Sequence, residues 1–146
     1  MNLQEIYEEW EKDSVIHQDL AETSRATPAL VSKYIQLLSV SKLELRRAEN
    51  MQQTLLRDKF LYYNGKMDQE RLQELGWEPD PFNGLKIMKG EMDYYYNADP
   101  EIQQSEDKVL YHKNKIETLK DILDNLKWRH QTIKNIIDWK KFESGS

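Results

Sequence analysis

The chain has 146 residues, the length of one ordinary domain, with 38% hydrophobic residues, 32% charged residues and a net charge of −5. The absence of Cys removes disulfides, thiol catalysis and thiolate metal sites, and no apolar run approaches the roughly 20 residues of a membrane span. The acidic opening Met1-Asn2-Leu3-Gln4-Glu5 lacks the basic and apolar regions of a signal peptide, so a soluble intracellular protein without membrane contact is expected.

Residues 2–12 read as a short amphipathic helix, capped by Asn2, with Leu3, Ile6, Tyr7 and Trp10 on one stripe. Val15, Ile16 and Leu20 add a second apolar patch, and residues 1–26 as a whole form an N-terminal helix and linker. Thr27-Pro28 is a helix start, a hydroxyl cap followed by proline at the first helical position. No Pro or Gly then occurs until Gly65. Val31, Tyr34, Leu38, Ser41, Leu45, Ala48, Gln52, Leu55, Lys59 and Tyr62 follow one another in steps of three and four. They form a heptad seam along a helix over 27–64 that Asn64-Gly65 closes in the left-handed region.

The segment 65–98 is less regular. Asp68 to Leu75 suits a short helix closed by Gly76, and Trp77 to Gly84, with Pro79 and Pro81, reads as a loop. Leu85 to Tyr96 suits a further helix weakened at Gly90, although Tyr94-Tyr95-Tyr96 would also fit an extended strand. Asp99-Pro100-Glu101 repeats the start signal, with an acidic cap and first turn that favour the helix dipole. A second long helix over 99–142 carries Ile102, Ser105, Val109, His112, Ile116, Leu119, Leu123, Leu126, His130, Ile133, Ile137 and Lys140 on a three–four seam. Ile122, Trp128, Ile136, Trp139 and Phe142 lie off it. One helix with two apolar faces needs more than one neighbour, which points to a homo-oligomer. The fold class is all-α: two long antiparallel helices with heptad seams, a short N-terminal helix and an irregular middle.

Charge is segregated along the chain. Residues 1–32 carry −5, 33–66 carry +4, 67–112 carry −7 and 113–141 carry +4. A local basic field acts within a Debye length of roughly 10 Å, so the acidic total does not exclude a nucleic-acid partner. Lys42, Arg46 and Arg57 fall within about 60° of one another on a straight helix, with Arg47 flanking. Such cations beside Tyr62 and Tyr63 suit a single strand, where cations track phosphates and rings stack on bases. Tyr62 belongs to the seam, and Tyr63 is freer to meet a ligand. A basic helix face that is merely solvated, or paired with acidic neighbours, accounts for the same residues. The tyrosine triplet reads as packing. Trp128, Trp139 and Phe142 suit subunit contact or an anchored partner.

No catalytic constellation is present. No glycine is followed by Lys-Ser or Lys-Thr as a phosphate loop requires. His17, His112 and His130 show no metal-ligand spacing, and the last two read as hydrogen-bonded interface residues. Neither a metal, a cofactor nor an enzymatic activity is expected.

The stretch Leu56-Arg57-Asp58-Lys59-Phe60-Leu61-Tyr62-Tyr63-Asn64-Gly65-Lys66 resembles the UvsY family of phage recombination mediators, which carry a basic–x–basic pair, two residues, Tyr-Tyr, a small polar residue and Gly. The resemblance extends over most of the chain, through the acidic helix Leu3–Glu9, the helix from Pro28, the start at Ala98-Asp99 and the stretch Ile136 to Gly145. It implies a ring-like homo-oligomer in the cytoplasm of the infected host. Such a protein binds single-stranded DNA and helps displace the phage single-strand-binding protein. It loads a UvsX-like recombinase without hydrolysing ATP. The family's strand-binding pair maps onto Arg57 and Lys59, with Lys66 closing the motif. Its self-association region maps onto Leu119 to Phe142, which includes Leu119, Ile122, Leu123, Leu126, Ile133, Ile136, Ile137, Trp139 and Phe142. The Gly76–Gly84 loop departs from the family's pattern. A structural or adaptor coiled-coil protein is the rival reading, and an ATP-dependent enzyme a distant third.

Overall fold

A computed structural model describes residues 1–145, and among them every regular element is helical. Six α-helices follow in order: α1 (Leu3–Asp13), α2 (Leu20–Tyr63), α3 (Gln69–Leu75), α4 (Met92–Ala98), α5 (Pro100–Lys127) and α6 (Arg129–Glu143), with a 3-10 turn at Lys89–Glu91 before α4. None of them is long and apolar enough to cross a membrane. The chain divides into two compact units, one of residues 1–44 and 112–146, the other of residues 45–111.

In the first unit, the Asn2 side chain accepts the Glu5 backbone N–H at 2.8 Å and so caps α1 as its sequence position predicts. Ile6 of α1, Tyr34 of α2, and Leu119, Ile122 and Leu126 of α5 form the buried core, with Trp10, Leu30, Leu38 and Leu123 packed around it. The Tyr34 hydroxyl reaches this depth because it donates to Asp13 at 2.8 Å, and Lys33 closes on Glu9 and Asp13 at 2.6 Å each. Lys115 is buried as well, paired with Glu44 at 2.6 Å. Within this unit, Glu44 meets Lys115 while Tyr34 lies among Leu119 to Leu126, so the α2 and α5 segments run antiparallel.

Three helices differ from the sequence expectation; the one expected over Leu85 to Tyr96 is confined to α4 (Met92–Ala98), after the 3-10 turn at Lys89–Glu91. The second helix begins at Leu20, eight residues before Pro28, because Asp19 caps it: its carboxylate accepts the Glu22 N–H at 3.0 Å. Pro28 therefore lies inside the helix, at an exposed position where water can serve the carbonyl its missing N–H leaves free. The helix expected over 99–142 is broken at Trp128 (φ −96°, ψ 3°) into α5 and α6. No Gly or Pro marks that break. It sits beside Arg129, which is buried and donates to the Asp13 and Val15 carbonyls at 3.1 and 2.8 Å, satisfying the C-terminal end of α1.

Leu119 is fully buried at the centre of the first unit. Leu119→Ala is expected to lower its stability by about 2–5 kcal/mol through lost burial and the cavity left behind. A urea-denaturation midpoint equal to that of the parent chain would contradict this placement.

Candidate nucleic-acid interface

The second unit joins the latter part of α2 to the start of α5. The Lys59 ammonium lies 2.9 Å from Asp99 and 3.2 Å from Glu101, while Gln52 donates to Ser105 at 3.4 Å, so the two segments run antiparallel here too. Asp99 caps α5 as predicted, its Oδ1 accepting the N–H groups of Glu101 and Ile102 at 2.9 and 3.2 Å. Its other oxygen accepts the Tyr63 hydroxyl at 2.7 Å.

Two glycine-ended helices shape this end of the unit. At Gly65 (φ 66°) the Lys66 N–H returns to the Leu61 carbonyl and the Gly65 N–H to that of Tyr62, a Schellman closure that turns Lys66 back onto α2. Gly76 (φ 70°) ends α3 in the same way and delivers Trp77. The Trp77 ring then covers the Lys59 ammonium at 3.9 Å, and its Nε1 donates to Glu101 at 2.9 Å. Around it, Tyr62, Tyr63, Phe82, Tyr95 and Tyr96 form a chain of ring contacts with centroids 4.9–5.8 Å apart, and the Tyr62 hydroxyl donates to the Glu78 carbonyl at 2.6 Å. Tyr95 and Tyr96 thus pack, on α4 rather than on an extended strand, whereas Tyr94 is exposed. From the Gly76–Gly84 loop it is Trp77 that covers Lys59.

These contacts set the charges. Burial alone would raise the Asp99 carboxyl, but the Tyr63 hydroxyl, Lys59 and the Ile102 N–H together outweigh it and hold the group below its ordinary 3.8. Burial, reinforced by the hydrogen bond to Asp99, pushes the Tyr63 phenol up, so it stays a neutral donor.

The residues expected to meet a strand separate into two groups. Lys59, with 4% exposure, is committed to Asp99, Glu101 and Trp77 instead of the surface. Tyr63 is likewise held within the aromatic chain and by Asp99, not free as its sequence position suggested. Arg46, Arg47, Arg57 and Lys66 are exposed. Arg57 touches Asp58 at 3.5 Å, yet 68% of its side chain remains open, because the buried Asp58 is already held by Arg71 at 3.0 Å. Lys42 is also exposed, but on the part of α2 that belongs to the first unit.

At 100° per residue, Arg46, Asn50, Gln53, Arg57 and Phe60 of α2, with Asn64 just past its end, fall within about 80° of arc, and all six are exposed. Arg46 and Arg57 stand about 16 Å apart along this face. Glu49 flanks the face and is half-buried, while Asp58 points away into the unit. The outcome is a narrow strip of cations and amides, with the Phe60 ring among them and no acidic side chain on it. Asn50, Gln53, Phe60 and Asn64 were not singled out from the sequence. Their steps of three and four from the two arginines are the signal that could have found them.

The residues assigned to self-association also divide. Leu119, Ile122, Leu126 and Ile133 are buried in the first unit's own packing, not on a face open to a second copy. Leu123 and Ile136 are half-buried, and Ile137, Trp139 and Phe142 of α6 are exposed. Trp139 and Phe142 meet edge to ring at 5.7 Å and line an open hollow with Asn135 and Asp138. No group of His, Asp and Glu suited to hold a metal occurs among the described residues.

A family model described as the recombination, repair and single-stranded-DNA-binding protein UvsY matches residues 9–146. The recombination protein UvsY of Enterobacteria phage T4 is 27% identical over 146 residues, covering 99% of each chain. A crystal structure of the bacteriophage T4 recombination mediator protein UvsY (lattice type II) superposes with a TM-score of 0.80 at 26% identity, over 99% of this chain and 98% of that one. A second (lattice type I) gives 0.78 at 25% identity, over 95% and 98%.

Proposed function

We propose that this chain, which belongs to the UvsY family, is a recombination mediator that binds single-stranded DNA along the exposed face of α2 and promotes loading of a phage recombinase onto strands covered by single-strand-binding protein. The observation that carries this reading is the strip running from Arg46 through Arg57, with Lys66 turned back beside its end and Arg47 at its flank. Exposed guanidinium groups spaced along a helix can follow a phosphate backbone, and side-chain amides beside them add donors and acceptors without selecting a base sequence.

One such strip holds a strand weakly. Self-association through Ile137, Trp139 and Phe142, the large apolar side chains α6 leaves uncovered, would repeat it, and repetition raises avidity without new contacts within a copy. A strand bound at several copies at once is kept in an extended path, a form in which a recombinase could take it over as the single-strand-binding protein leaves. In this scheme Lys59 and Tyr63 support the face from behind rather than touch the strand.

Fluorescence anisotropy on a labelled single-stranded oligonucleotide at 50 and 200 mM salt tests the proposal. Binding that weakens steeply with salt and exceeds binding to duplex of the same length is the expected result. Absence of binding at the lower salt would favour the adaptor reading.

A further inference from the structure

Six rings at the end of the second unit, Tyr62, Tyr63, Trp77, Phe82, Tyr95 and Tyr96, are engaged with one another. Phe60 is outside that cluster. It stands on the exposed face of α2, three residues after Arg57 and four before Asn64, and is 49% exposed. The Lys66 ammonium, brought back by the closure at Gly65, lies 5.7 Å from its ring centroid.

Folding gives only a modest reason for an aromatic residue there, an exposed cation–π contact with Lys66. A half-exposed ring on a polar strip gains only part of the burial available to a core side chain, and Phe is a poorer helix former than Leu, Gln or Lys. What the position does offer is a π-face between two cations. Arg57 lies one helical turn before it, and the Lys66 ammonium lies over the ring, 5.7 Å from its centroid.

We infer that Phe60 is a nucleobase-stacking residue: Arg57 and Lys66 engage phosphates on either side, and the ring takes the base between them. This rests on the proposed strand binding and adds to it a contact that is sensitive to bases rather than to charge. Stacking on an aromatic ring tolerates every base, because each base has a π-face, so it raises affinity without sequence preference. It also distinguishes an unpaired strand, whose bases are free to swing out, from a duplex, whose bases are already stacked.

The test compares the full-length chain with Phe60→Leu and Phe60→Trp on an oligothymidylate and on an abasic oligonucleotide of equal length. Phe60→Leu keeps the apolar bulk and helix propensity but loses the π-face. It is expected to bind the base-bearing strand about tenfold more weakly. The slope of affinity against salt, the affinity for the abasic strand and the sedimentation profile should all stay as in the parent. Phe60→Trp should bind the base-bearing strand at least as tightly as the parent. Equal affinity of Phe60→Leu and parent for oligothymidylate would overturn the assignment. So would an equal loss on both strands, or a change of assembly state, since the ring would then be packing against protein. A parent chain that binds neither strand would overturn the strand-binding reading itself, an outcome separable from failure of the stacking contact alone.

Discussion

Replacing Lys59 with Met is expected to destabilise the second unit by about 3–5 kcal/mol, the usual consequence of removing one partner from a buried ion pair. Asp99 would then keep its carboxylate at 4% exposure without its closest cation, and Glu101 would lose the charge that aligns it with Trp77. Methionine retains most of the apolar stem, so the loss reports the charge rather than a cavity. The effect has a pH signature. Because the folded-state Asp99 carboxyl lies below its ordinary 3.8, its contribution to stability is present above that value and is lost as pH falls through the lower, folded-state value. In Lys59→Met one of the groups holding it down is gone, so the folded-state value moves back toward 3.8 and this carboxyl's acid-linked loss of stability should shrink. Urea titrations between pH 3 and 7 follow both changes. A variant as stable as the parent across that range would show that the pair contributes nothing.

Arg46→Ala combined with Arg57→Ala is expected to do the reverse. Both side chains are exposed, and surface substitutions of this kind usually change stability by no more than about 0.5 kcal/mol. Each lost phosphate contact removes about 0.7 from the slope of log affinity against log salt on a single strand. For each copy the strand engages, the pair should therefore flatten the slope by about 1.4 and weaken binding by about 25-fold at 0.1 M salt. Circular dichroism and sedimentation should be unchanged. An unaltered slope in a well-folded double variant would place the strand elsewhere on the protein.

The helix caps were legible because each is local. Asn2 and Asp99 accept N–H groups two or three residues ahead, and Gly65 and Gly76 take the left-handed conformation that Asn64-Gly65 and Leu75-Gly76 announce. The start at Leu20 was missed because Thr27-Pro28 is the stronger signal, although Asp19 had already capped the helix. The break at Trp128 has no local cause to read, since Arg129 finds its acceptors more than a hundred residues earlier in the chain.

The candidate site was half legible for a similar reason. Two residues apart on a helix is 200°, so Arg57 and Lys59 could not share one face. Which of them turns inward is decided by Asp99 and Glu101, some forty residues away, and by a loop whose Trp77 covers the ammonium. The apolar stretch Leu119–Leu126 misled in the opposite sense. Its periodicity reports burial but not whether the cover comes from the same chain, and here Ile6 and Tyr34 provide it.

The most direct measurement is the salt dependence of single-strand affinity for three full-length proteins: the parent, Arg57→Ala and Lys59→Met, each under conditions where it is fully folded. If exposed cations of α2 hold the phosphates, Arg57→Ala will give a line shallower by about 0.7 for each engaged copy and Lys59→Met a line parallel to the parent. A shallower line for Lys59→Met beside an unchanged one for Arg57→Ala would contradict the account.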